Sequence, residues 1–190
     1  MSGYGRAAWA AGVLVATMLP APPASAYVYY PGGCHLAATY SLGVANITFK
    51  GVDVSGYTTL TGLSAGRWNN VLTGAKLVTA TTTYTVYATE MNFGSYGGDG
   101  THDITCATSG GTFAVPSKAY ANTYYTNTYS NPQRFSVMVH ELGHVLGLDH
   151  NNDHGNCSVV QIMYVSIDRY DNCGVEYPKS DDVAGVESLY

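Results

Sequence analysis

Eleven residues, His140-Glu141-Leu142-Gly143-His144-Val145-Leu146-Gly147-Leu148-Asp149-His150, restrict this chain more than any other stretch of it. His140 and His144 are four apart, so on an α-helix their imidazoles leave one face about a turn apart and can grip one ion. Glu141 lies one step round that helix. It can reach a water held at such an ion without becoming a ligand, as a general base requires. His150 stands six residues past His144, where a continuing helix would aim it away from the pair. The chain must therefore turn, and Gly147 is the residue that can take left-handed backbone and end the helix. His140, His144 and His150 are thus expected to hold one Zn2+ with a fourth position open, the pattern of a catalytic rather than a structural zinc. Five positions are specified together, which makes a chance match in a metal-free helix remote.

The flanking sequence supports a helix there. Asn131 can cap it, Pro132 sits where a first-turn proline is tolerated, and Phe135, Met138, Val139, Leu142, Val145 and Leu146 form an apolar stripe. Upstream, Ala45 to Phe49 reads as a first strand. Leu60, Leu63, Trp68, Val71 and Leu72 fit one face of a helix that Gly62 and Gly66 weaken. Leu77 to Thr89, rich in Thr, Val and Tyr, reads as one long strand or two. Gly94 to Gly100 reads as loop, Thr112 to Val115 as a short strand ended by Pro116, and Ala119 to Ser130 as an extended approach to the histidine helix. Tyr27 to Leu36, with Pro31-Gly32-Gly33, is expected to be a loop or a loose arm. A last helix runs from Ser180, its expected N-cap, with Asp181 and Asp182 facing the dipole and Val183, Val186 and Leu189 buried.

Export is legible at the other end. Met1 to Ala26 has the layout of a secretory signal: Arg6, an apolar run from Ala7 to Leu19, then Pro20, Pro22 and Pro23 before Ala24-Ser25-Ala26. The run is 13 residues long, and a spanning helix needs about 20, so no membrane association is expected after cleavage. The mature part would be 27–190, one domain. The net charge is −5 with no Lys/Arg cluster, which excludes an electrostatic footprint for nucleic acid. Four cysteines, Cys34, Cys106, Cys157 and Cys173, contain no C-x-x-C pair. In an exported chain they suggest two disulfides, with three connectivities open. Asp99 and Asp103 sit in or beside the Gly-rich loop, but their spacing is no recognised calcium loop, so Ca2+ has no support. The sequence does not fix an oligomeric state.

The eleven residues resemble the metzincin zinc signature, HExxHxxGxxH, and are most similar to that of the matrixins, the matrix-metalloproteinase-like group. Further features match in order. Gln161-Ile162-Met163-Tyr164 resembles the methionine turn beneath the metal, Ser180 to Tyr190 resembles the final helix, and Trp68 sits where the first family helix carries a tryptophan. The resemblance implies an α+β fold: a twisted mixed sheet with one antiparallel edge strand, two backing helices, and a C-terminal helix after the methionine turn. It implies a secreted zinc endopeptidase acting on protein or peptide, with Glu141 as base, an extended substrate on the edge strand, and a pocket wall from Tyr164 to Lys179.

The departures are specific. Cys34 lies in Pro-Gly-Gly-Cys-His, unlike the family's inhibitory cysteine switch, and is expected in a disulfide. The histidine-rich stretch for a second zinc is missing; His102 and Asp103 are its only candidates and read as surface loop. No haemopexin-like segment follows. Asp149 is one place short of the spacing of an aspartate third ligand used in another secreted family, so His150 is the ligand and Asp149 orients a neighbour. His154 reads as exposed loop, and Tyr164 and Tyr170 as packing residues near the pocket. Cys157 and Cys173 flank Met163 within a connection of irregular pattern, which favours their pairing and leaves Cys34 for Cys106. Two alternatives stay open: a secreted zinc-binding module without turnover, and a zinc hydrolase of a non-protein amide.

Overall fold

A computed structural model describes residues 27–54, 59–106, 111–152 and 156–190. The expected signal, 1–26, and His154 lie outside the described residues. The core sheet is built on β3 (Val44–Val52), where alternation buries Ala45, Ile47 and Phe49 on one face. The strand β2 (Thr39–Ser41) folds back antiparallel on the start of β3 through Leu42 and Gly43, both at positive φ, as a two-residue hairpin of that hand requires. Parallel to β3 run β4 (Ala75–Thr79) on one side and β5 (Val86–Met91) on the other. Next comes β7 (Ser117–Asn122), parallel to β5, and last β6 (Gly100–Asp103), antiparallel to β7 at the sheet edge.

One face of this sheet carries the helices α1 (Leu60–Asn69) and α3 (Asn131–Val145). The inward residues of β5 and β7 include three alanines, Ala88, Ala119 and Ala121, all fully buried. Small side chains there leave room for α3 and its larger apolar stripe. The two helices are joined by Trp68, whose Nε1–H donates to Val139 O at 2.9 Å in the core. The other face holds half-exposed tyrosines, with Tyr84 near Tyr87 and under Lys50. Short helices α2 (Thr123–Thr126) and α4 (Asp168–Asp171) and the final α5 (Ser180–Glu187) complete the chain. The fold is the mixed α+β architecture expected, with β6 as its antiparallel edge strand, although the β2 hairpin adds a second antiparallel pairing.

Several expectations are corrected. The region 27–36 is no loose arm: β1 (Val28–Tyr29) pairs antiparallel with β8 (Leu148–Asp149), Tyr30 N–H donates to Gly147 O at 2.8 Å, and Tyr29 OH meets Ser188 Oγ at 2.6 Å. A two-residue strand is too short to leave an alternation. Of the two readings of Leu77 to Thr89, two strands is the one found, as β4 and β5. The strand near Pro116 follows it, as β7, and Thr112 and Phe113 make only isolated bridges. The face of α1 is Leu60, Thr61, Ser64, Ala65 and Trp68, and Leu63 is half exposed. Helix α3 is capped from Ser130, whose N–H donates to Gln133 Oε1 at 2.8 Å, one residue before Asn131. Helix α5 begins at Ser180 as expected, but its N-cap is Lys179 rather than Ser180, and Asp182 turns inward.

The cysteines pair as Cys34–Cys106 and Cys157–Cys173, with no free thiol among the described residues. The first bond ties the N-terminal segment to the chain after β6. The second closes the segment around Met163.

Candidate metal centre

Helix α3 delivers His140, Glu141 and His144 into the interior, where each is buried. The helix can sit this deep because Gly143, between them, has no side chain. A Cβ there would collide with Met163 Sδ and come within 3.2 Å of Trp68 Cζ2. Met163 therefore lies directly against the histidine helix, 2% exposed. Helix α3 ends at Val145, and Gly147, just past its C-cap Leu146, has a φ of 111° that turns the backbone into β8. That turn brings His150 back toward the pair. His150 N–H donates to Asp149 Oδ1 at 2.7 Å, the orienting contact expected of Asp149. Asn151 N–H donates to Met163 O at 2.8 Å, tying the residue after His150 to the methionine segment.

The three imidazoles converge through one kind of nitrogen. His144 Nε2 lies 3.1 Å from His140 Nε2 and 3.2 Å from His150 Nε2. Nδ1 of His140 faces Ile162 O at 2.8 Å, and Nδ1 of His144 faces Leu148 O at 2.9 Å. A carbonyl only accepts, so both Nδ1 atoms carry the proton and both Nε2 atoms present lone pairs. Lone pairs aimed together at this range repel unless a cation lies among them. Tetrahedral zinc with bonds of about 2.0–2.1 Å sets its ligand nitrogens roughly 3.3 Å apart. The residues fit zinc. Burial holds His140 and His144 well below the usual imidazole value, with the Arg169 charge adding for His140 and His102 for His144. It lowers His150 as well. The direction favours the neutral imidazole that a ligand must present.

Glu141 points from α3 toward β6. A Cβ at Gly100 would come within 2.7 Å of Glu141 Cγ, so the glycine makes room for this side chain. His102 is the main departure from the sequence reading. It is not surface loop but part of β6, with Nδ1 3.1 Å from Glu141 Oε2 and its ring 4.1 Å from the His144 ring. Asp103 instead faces solvent and pairs with Lys118 at 2.8 Å. Burial raises the Glu141 pKa, and the His102 hydrogen bond opposes that rise.

The segment after Met163 is braced from two sides. Asp182, buried, accepts Ile162 N–H at 3.0 Å, Met163 N–H at 3.2 Å and Lys179 N–H at 2.8 Å. Since Ile162 O receives His140 Nδ1–H, Asp182 acts on His140 through one peptide unit. Arg169, equally buried, donates to Ser136 Oγ and O on α3 and to Tyr164 O. Beside Arg169 lies a cavity of about 240 Å³ whose lining includes Val160, Tyr164, Asp168 and the Cys157–Cys173 bond. Tyr164 and Tyr170 are both partly buried, and Tyr164 packs on the core.

The family model described as matrixin, a peptidase family, matches residues 79–190. The chain belongs to the matrixin family. It carries a matrixin-like metzincin domain. Macrophage metalloelastase from Oryctolagus cuniculus is 35% identical to this matrixin over 66 residues, 35% of this chain and 13% of that protein. The chain thus matches a small part of that relative's length. High choriolytic enzyme 1, a hatching-enzyme zinc protease from Oryzias latipes, superposes with a TM-score of 0.46 and 14% identity over 85% of this chain and 96% of that one.

Four residues were not assigned to this matrixin site by the sequence reading. His102, Gly100, Arg169 and Asp182 reach it across the fold, and only Gly100 and His102 carried a local signal, being two apart and so on one side of a strand. Gly143 was in plain view within the motif, but what requires it there, the sulfur of Met163, is visible only in the packing.

Proposed function

We propose that this matrixin hydrolyses peptide bonds in secreted form, with His140, His144 and His150 as zinc ligands and Glu141 as the general base. The observation that carries the reading is the convergence of three Nε2 atoms beside a buried carboxylate that is hydrogen-bonded to His102. When bound, zinc supplies Lewis-acid polarisation of the scissile carbonyl and acidifies water. Glu141 accepts a proton from the attacking water and returns it to the leaving amine. Its burial favours proton uptake, which suits a base that must take up a proton and give it back. Nδ1 contacts to Ile162 and Leu148 hold two ligand rings in the tautomer that leaves Nε2 free.

The substrate reading rests on β6. It ends the sheet with no strand on its outer side among the described residues, and an extended peptide can pair there through backbone hydrogen bonds. Side-chain selection would then fall to the cavity bounded by Tyr164, Asp168 and Arg169. Two disulfides support an oxidising, extracellular setting. No helix of the described residues is long and apolar enough to cross a membrane.

Metal analysis of the purified mature protein is expected to give one zinc per chain. Cleavage of an unfolded protein such as casein should stop with chelator and return with added zinc. A metal-free protein, or proteolysis indifferent to chelator, defeats the reading.

A further inference from the structure

We propose that His102 is a positioning residue that holds the carboxylate of Glu141 in its working orientation from the edge strand. The inference rests on the reading of Glu141 as base. Three observations carry it. Gly100 and His102 are two apart on β6, so both address the same side of the strand, and both meet Glu141: the glycine clears space for its side chain and His102 reaches its Oε2. The contact is built rather than incidental. The His102 ring is packed against the His144 ring on one side, and the Tyr30 ring, itself edge-on to Phe113, stands edge-on to it with centroids 6.1 Å apart. Finally, Glu141 is buried with a single side-chain partner among the described residues, and that partner is His102.

Because a carboxylate accepts, His102 Nδ1 donates to Oε2. That leaves Oε1 to receive the proton of the attacking water. A base free to rotate would spend part of its time with neither oxygen aimed at the water, and misplacement of this order is felt in the rate. His102, Glu141 and His144 also lie close enough to hold a metal ion between them. His144 presents a single Nε2, however, and that atom is already shared with His140 and His150, the set in which every ring offers the same nitrogen. The hydrogen bond is therefore assigned to orientation, not ligation. It also links the base to the strand on which the proposed substrate would lie.

The test compares His102→Ala, His102→Asn and His102→Gln with the wild type, measuring zinc content, kcat and KM separately. His102→Ala should keep its zinc and its KM and lose about 10- to 100-fold in kcat. Asn places an amide N–H near Nδ1 and should restore most of kcat; Gln, which mimics Nε2, should not. Wild-type kcat in His102→Ala overturns the proposal. Loss of zinc in that variant overturns it in favour of a metal ligand. If His102→Ala does not fold, the Asn and Gln pair decides, and equal kcat for the two overturns it. A wild-type protein without zinc-dependent cleavage would instead defeat the reading of the site as a whole, before any variant is compared.

Discussion

Glu141 is pulled two ways. Burial raises its pKa, and the hydrogen bond from His102 lowers it. Both act on a group whose oxygens, in the proposed role of base, accept a proton and release it within one turnover. Glu141→Gln removes that capacity with almost no change in shape. The amide oxygen can still accept from His102 Nδ1–H, and no zinc ligand is touched. The variant is expected to keep its zinc and lose about 10²–10⁴-fold in kcat, the usual range for a missing general base. Paired metal analysis and kinetics check it, and wild-type turnover would remove Glu141 from the role. Glu141 and the three histidines were legible because a helix period and a glycine turn bring them together locally. His102 was not: it lies 39 residues from Glu141, and a lone histidine beyond a Gly-rich loop carries no pattern that says which strand it joins.

Helices α1 and α3 use glycine for opposite reasons. At Gly62 and Gly66 in α1, an added Cβ meets nothing within 4 Å, and neither residue has positive φ. Alanine there gains helix propensity without a clash, so Gly62→Ala or Gly66→Ala should each stabilise the fold by about 0.5–1 kcal/mol. In α3, Gly143→Ala gains the same propensity but drives its Cβ into Met163 and against Trp68. Met163 is flexible, yet it is enclosed, and Trp68 is fully buried and held by Val139. Overpacking of about 1–3 kcal/mol should outweigh the gain, leaving Gly143→Ala less stable. Denaturant unfolding of the three variants checks the ordering; a stabilised Gly143→Ala would show that Met163 yields freely. The same contrast explains which elements the sequence disclosed. Helix α3, long and periodic, was read nearly end to end. The buried face of α1 was misread because it is made of Thr, Ser and Ala, while the apolar Leu63 faces solvent. The β1–β8 pair was missed because two residues cannot alternate, and β7 because its inward positions Ser117, Ala119 and Ala121 give little hydrophobic signal.

At the scale of the molecule, stability, metal and pH are one problem. Without zinc, burial keeps His140, His144 and His150 below the ordinary 6.5. The unfolded chain then binds more protons than the folded one as pH falls below that value, so their contribution is present above it and lost on acidification. Asp182, raised by burial from 3.8 to about 6, has the opposite sign: its contribution is full below 3.8 and lost as pH rises through about 6. Glu141 and Asp99, also raised by burial, act in the same sense as Asp182. Three imidazoles and three carboxylates thus act in opposite senses across the mildly acidic range, so each set offsets part of the other's effect in the zinc-free protein. Zinc breaks this balance. It binds only neutral imidazole, and it stabilises the folded state in proportion to the logarithm of its occupancy ratio. The disulfides do not titrate, and the loops they close, with sequence separations of 72 and 16, restrict the unfolded chain by about 4 and about 3 kcal/mol in the loop-entropy model at every pH. Thermal unfolding of zinc-loaded and chelator-treated protein should therefore give a Tm gap that is wide near neutral pH and narrows as the pH falls through about 6.5 and below, as protons displace the metal. A gap constant with pH would mean that the metal is not held by these imidazoles. A steep acid loss in the chelator-treated protein alone would mean that the buried carboxylates do not offset them.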